Sequence, residues 1–91
     1  MKDNVIYVGN KPFMNYVSGV VIQFTTKNAS EVIIKARGKY VGRAVDIAEM
    51  SSKKFLKDIV HVKDVNIDSE EFSTEEGKNI RVSSIEIKLK K

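Results

Sequence analysis

The sequence has no cysteine, one histidine and one proline among its 91 residues. Without cysteine there is neither a disulfide framework nor a thiolate metal site. The single histidine, His61, leaves any zinc site to carboxylates, an improbable donor set, so no metal and no cofactor is expected. Apolar runs such as Val20-Val21-Ile22 fall far short of the roughly 20 residues that span a bilayer. The start, Met1-Lys2-Asp3-Asn4, enters a strand pattern with no secretory apolar region, so the expectation is a cytoplasmic protein without a membrane partner. The five glycines are too scattered for a phosphate-cradling loop, and no G-x-x-x-x-G-K-[ST] is present.

What is present suits one folded domain over residues 1–91, since 42% of the residues are hydrophobic. The net charge of +4 is unevenly spread. Residues 1–57 carry 10 Lys/Arg against 4 Asp/Glu, whereas residues 58–91 carry 6 against 8. A basic body with a more acidic C-terminal part favours a polyanionic partner met by the body. Ordinary surface charge is the alternative on this ground alone.

Val5-Ile6-Tyr7-Val8 is a short run of β-formers stopped by Gly9. Pro12 suits the first turn of a helix, where its missing N–H costs nothing. Met14, Val17, Val20, Val21 and Phe24 then mark one face of a helix over about residues 12–27. Glu31-Val32-Ile33-Ile34-Lys35-Ala36 is a second strand, which makes a βαβ unit with parallel strands. A second helix is expected from Gly38 or Lys39, with Val41, Ala44, Val45, Ala48 and Phe55 on one face, widened by Ile47 and Met50. In the last third, Val60 and Val62, then Val65 and Ile67, alternate; so do Ile80 and Val82, then Ile85, Ile87 and Leu89. The parity changes once in each run, which predicts a bulge or bend in both strands. The fold class is therefore α/β (α+β), in the order β-α-β-α-β-β: a mixed four-stranded sheet, two helices and an extended C-terminal hairpin arm over about residues 65–85, with its tip near Glu75-Glu76-Gly77-Lys78.

Two parallel strands send their strand-to-helix turns out of the same sheet edge, where ligands of open α/β sheets gather. The turns Gly9-Asn10-Lys11-Pro12 and Ala36-Arg37-Gly38-Lys39 are then neighbours. Lys11, Arg37 and Lys39 would stand beside two helix N-termini, each with free N–H groups and a positive dipole end. Asn15 and Arg43 extend this face one helical turn, and Tyr16 adds an aromatic hydroxyl. Several spread cations with backbone donors fit a phosphodiester backbone. In the competing reading, Lys11 and Lys39 are solubilising and Arg37 pairs with Asp46 or Glu49. Asp46 and Glu49 are read as surface or ion-pair residues, His61 as outward-facing, and Ser83-Ser84 as a bend. An enzyme for a small phosphorylated ligand would add an acid, base or nucleophile near Lys11 and Arg37; none is found, so the protein is read as a non-enzymatic binder.

Four blocks carry a resemblance over nearly the whole chain: residues 8–17 (VGNKPFMNYV), 32–39 (VIIKARGK), 44–46 (AVD) and 82–87 (VSSIEI). The chain resembles the Alba family of archaeal chromatin proteins. The resemblance implies a homodimer that binds double-stranded DNA, and RNA, and contributes to chromosome organisation or compaction. It implies a body lying across the backbone and two hairpin arms reaching toward the minor groove, where Lys78 and Arg81 are the arm's cations. It implies contacts between dimers on DNA through Phe55. The family often has a lysine pair in the first turn, one member of which can be acetylated; here Asn10-Lys11 leaves Lys11 as the candidate. A ribonucleoprotein subunit and a less abundant, sequence-preferring DNA-binding regulator remain the alternatives. The arm departs from the family: Asp68, Glu70, Glu71, Glu75 and Glu76 outnumber Lys78 and Arg81 around its tip. Carboxylates held toward phosphates repel them, so the body is expected to carry more of the binding than in typical members.

Overall fold

The computed structural model describes residues 4–91, and the expectations resting on Met1, Lys2 and Asp3 lie outside the described residues. Strand β1 (Val5–Tyr7) leads to helix α1 (Phe13–Thr25) and strand β2 (Glu31–Arg37). A 3-10 turn, Gly38–Tyr40, opens helix α2 (Val41–Met50), which continues into a π-helical turn, Ser51–Phe55. Strands β3 (His61–Ser73) and β4 (Asn79–Lys90) complete the chain. The sheet order is β1-β2-β4-β3, with β1 and β2 parallel and the other pairs antiparallel. This is the mixed four-stranded sheet expected.

Strand β2 is central, and its alternation shows how the layers form. Val32, Ile34 and Ala36 are buried, while Glu31, Ile33, Lys35 and Arg37 turn to the other face. The buried set meets Val17, Val20 and Phe24 of α1, Ala44, Ile47 and Ala48 of α2, and Ile85, Ile87 and Leu89 of β4 in one core. Both helices therefore cover the same face of the sheet and leave the opposite face bare. Each fully buried Val, Ile or Leu contributes about 1.5–3 kcal/mol of hydrophobic stabilisation.

The inward faces differ from the periodicity in two places. In α1, Met14 is exposed and Tyr16 takes its place in the core, so the buried stripe is Tyr16, Val17, Val20 and Phe24. In α2, Val45 and Phe55 point outward, whereas Ile47 is buried as expected, together with Ser51 and Ser52. The cause at the end of α2 is the π turn, in which the Leu56 N–H donates to the Ser51 carbonyl at 2.9 Å. A regular helix would bring residue 55 onto the face of Ala44 and Ala48. The widened turn holds one extra residue, so Leu56 enters the core and Phe55 is left half-exposed.

The hairpin is as long as expected, but only one of its strands is irregular. A register shift falls between Val62 and Asp64 in β3 and explains the parity change there. Strand β4 pairs with β3 without interruption from Asn79 to Lys88, so its parity change is not a bulge. Ile80 and Val82 sit on the bare face of the ribbon, while Ile85, Ile87 and Leu89 face the helices. Beyond the helices no core dictates which face is apolar. The tip, residues 74–78, is closed by the Thr74 N–H on the Lys78 carbonyl at 2.8 Å, with Gly77 at φ +81°. The arm raises the radius of gyration to 14.5 Å, against about 12 Å for a compact chain of this length.

Strand β3 is exposed along its whole length. On its helix-side face, Val62, Val65 and Ile67 are 40%, 49% and 79% exposed, and Val45 of α2 is 40% exposed. The helices reach β2 and β4 but barely overlie β3, so an apolar strip lies uncovered at that edge.

Candidate nucleic-acid interface

The parallel pairing of β1 with β2 decides where the two basic turns go. Tyr7 pairs with Lys35, and the Val8 N–H donates to the Lys35 carbonyl at 2.9 Å, so both strands end at the same edge. The first turn, residues 9–12, leaves beside the second, residues 36–39. Arg37 is extended (φ −131°, ψ 149°), and Gly38 then takes φ +58° to enter the 3-10 turn. That left-handed conformation is one that other residues adopt only with strain.

A direct bridge joins the turns. The Arg43 Nη1 donates to the Gly9 carbonyl at 2.7 Å, and its guanidinium lies 5.7 Å from the centre of the Tyr16 ring. The Tyr16 hydroxyl oxygen accepts from the Gly9 N–H at 2.9 Å and from the Lys11 N–H at 3.1 Å. Tyr16 was expected on the surface; it is buried, and its oxygen gathers the first turn from beneath. Arg43, half-buried, holds α2 to that turn. These two residues shape the surface, and Lys11, Asn15 and Lys39 are exposed on it. Lys39 Nζ lies 5.4 Å from the Tyr40 ring centre.

The helix starts have the electrostatics anticipated. The start of α1 and the 3-10 turn that opens α2 have no side-chain cap and no acidic residue in the first turn. Their dipole ends are uncompensated by neighbouring carboxylates, an arrangement that attracts anions. Among the described residues, Lys11 and Lys39 take part in no salt bridge.

Arg37 differs. It does not pair with Asp46 or Glu49. Its Nη2 donates to Glu70 Oε2 at 3.2 Å, and its guanidinium sits 5.7 Å from the Phe72 ring centre. Both partners belong to the arm. Lys78 and Arg81 lie out on the arm, away from the turns. Arg81 Nε donates to Glu71 Oε1 at 3.2 Å, and its Nη2 donates to the same oxygen. The arm partners of the arginines were not legible as such: Glu70 and Phe72 lie 33 and 35 positions from Arg37, and only the β2–β4–β3 pairing brings them close. On the bare sheet face a groove of about 650 Å³ runs past Tyr7, Lys35, Arg37, Asp68, Ser84 and Glu86. Two cations and two carboxylates line it, so it is not a cationic channel.

The geometry defines a small α+β protein with two basic turns side by side at one sheet edge and a long hairpin beside them. The sequence model of the Alba family matches residues 4–69. The DNA/RNA-binding protein Alba of Methanococcus maripaludis is 52% identical over 87 residues, covering 96% of this chain and 97% of its own. The DNA/RNA-binding protein Alba 1 of Archaeoglobus fulgidus is 52% identical over 91 residues, covering 100% of this chain and 99% of its own. Among solved structures, Alba from Thermoplasma volcanium superposes with a TM-score of 0.84 at 48% identity, over 97% of this chain and 100% of its own. The fold extends to ALBA1 from Trypanosoma brucei, with a TM-score of 0.73 at 23% identity, over 100% of this chain and 71% of that one. The chain belongs to the Alba family.

Proposed function

We propose that this protein is a non-enzymatic, homodimeric binder of double-stranded nucleic acid that grips phosphates with its two basic turns and contributes to chromosome organisation. The observation that carries this reading is the juxtaposition of the Lys11 turn with the Arg37–Lys39 turn, braced by Arg43 on the Gly9 carbonyl. The names borne by its relatives support nucleic acid as the ligand. Lys11, Lys39 and Asn15 contact phosphates, and Arg37 joins them. Tyr16 and Arg43 hold the turn in shape, and Lys78 and Arg81 act from the arm. Such contacts position a protein on a duplex without reading its sequence. Acetylation of Lys11 would remove an exposed cation at the centre of the surface. Association with the chromosome in the cytoplasm follows from the same role.

The strip of Val62, Val65, Ile67 and Val45 supports the dimer. A second copy covering it would bury side chains that a lone protomer leaves in water, and would set two phosphate surfaces in one particle. The half-exposed Phe55 supports further contact between dimers.

The test is binding of wild type and of a Lys11→Ala/Arg37→Ala variant to one DNA duplex and one RNA duplex across a salt series. Each phosphate contact contributes about 0.9 to the slope of log affinity against log salt on B-DNA. The double substitution is expected to flatten the slope by about one to two per protomer, and the two duplexes rank the partners. Unchanged binding by the variant would refute the two-turn surface.

A further inference from the structure

Two of the proposed phosphate-binding arginines already hold an anion, and both anions come from the arm. Arg37 meets Glu70 and Arg81 meets Glu71. Adjacent residues on a strand face opposite ways. Glu70 therefore reaches Arg37 on the bare face of the sheet, while Glu71, directly across from Arg81 in the ladder, engages it on the helix-side face. Phe72, two residues beyond Glu70, lays its ring against the Arg37 guanidinium. Each face of the ribbon thus supplies one carboxylate to one arginine.

We propose that Glu70 and Glu71 are built-in competitors of the nucleic-acid backbone, which occupy the phosphate positions of Arg37 and Arg81 in the free protein and are displaced when a duplex binds. This rests on the phosphate-binding reading above. A carboxylate presents a guanidinium with the same two-oxygen, singly negative face as a phosphodiester, so the two compete for one site. All four side chains are more than half exposed. The exchange requires no unfolding, and an exposed pair of this kind is weak enough to be displaced. Lys11 and Lys39, by contrast, are in no salt bridge among the described residues, so the body offers the first contacts and the arginines join only by exchange. Because exchange swaps one ion pair for another, Arg37 and Arg81 add little to the salt dependence of the wild-type protein.

Glu70→Gln/Glu71→Gln keeps the shape of both side chains and removes their charge. A second variant, Glu75→Gln/Glu76→Gln, removes the same charge at the hairpin tip, where neither residue is in a salt bridge with a described residue. Both are compared with wild type for duplex DNA affinity across a salt series, each with and without Lys11→Ala. The Glu70/Glu71 variant is expected to bind about 2- to 5-fold tighter for each carboxylate exchanged, with a slope steeper by up to about 0.9 for each arginine released. The tip variant is expected to gain less and to keep the wild-type slope. Equal gains in the two variants would overturn the competition in favour of plain charge repulsion, and weaker binding by the Glu70/Glu71 variant would overturn it by making the carboxylates supports of the arm. If Lys11→Ala weakens binding while the Glu70/Glu71 exchange changes nothing, the competition falls and the two-turn surface stands. If the exchange tightens binding while Lys11→Ala is silent, the competition stands and the Lys11 turn falls out of the phosphate surface.

Discussion

The body and the arm are parts of one sheet, and β4 runs through both, yet they are stabilised differently. In the body, Ile85, Ile87 and Leu89 are buried under two helices. In the arm, the same strand carries Ile80, 45% exposed, and pairs only with a strand whose every residue is exposed. The cations divide less cleanly: Lys35 and Lys88 of the body sheet pair with Glu86 and Glu31, and Lys78 on the arm has no salt bridge among the described residues. Lys11 and Lys39 on the body have no carboxylate partner among the described residues, whereas Arg81 on the arm, and Arg37 where the body meets it, are both paired. A ladder of hydrogen bonds extends a ribbon, but only a covering layer makes a core. Where cover is missing, charge pairing across strands takes over.

The sharpest way to break this contrast is to truncate one isoleucine on each side of it. Ile34→Ala, at a fully buried site, is expected to lower unfolding free energy by about 2–5 kcal/mol in urea titration. Ile80→Ala on the arm is expected to cost less than about 1 kcal/mol. Comparable losses would mean that the arm is packed in solution.

A smaller effect probes the bracing of the first turn. Tyr16→Phe removes the oxygen that accepts from the Gly9 and Lys11 N–H groups. Partly buried donors left without it are expected to cost about 1–3 kcal/mol of stability, and duplex affinity is expected to fall although no cation is lost. Unchanged affinity would show that the turn keeps its shape unaided.

The uncovered edge of β3 gives the next test. Val65→Asp is expected to weaken self-association at least about tenfold in sedimentation experiments, because a carboxylate would have to be buried in the interface. A monomeric wild type would refute the dimer outright. The smallest effect on the fold is expected from Phe55→Ala, within about 0.5 kcal/mol of wild type, because the π turn directs this ring outward. Its measurable consequence is lost cooperativity along a long duplex, with binding to a duplex that fits one dimer unchanged.

Much of the frame was legible because it rests on local signals. Alternation along Glu31–Arg37, punctuation at Gly9, Pro12, Gly38 and Gly77, and the spacing of Val17, Val20 and Phe24 all act within a few residues. The parallel βαβ unit then placed the two basic turns at one edge, since a short crossover leaves few other arrangements. What periodicity misjudged were positions where a third element intervenes. Tyr16 is drawn inward because its hydroxyl satisfies two turn donors. Phe55 is turned outward because the π turn adds one residue to the helical repeat. The apolar parity of β4 changes without a bulge because no helix lies above Ile80 and Val82.

The residues themselves determined the element order, the basic edge and the acidity of the arm, since composition and short-range spacing carry that information directly. Tertiary structure alone decided who holds the arginines. Sequence counts the carboxylates of the arm but not their partners. Arg37 meets Glu70 and Phe72 only because β4 is laid between β2 and β3, in a register that carries one face of the arm across the end of β2. Ion pairs between distant segments depend on a few ångströms of strand register, which long-range pairing sets and local propensity does not.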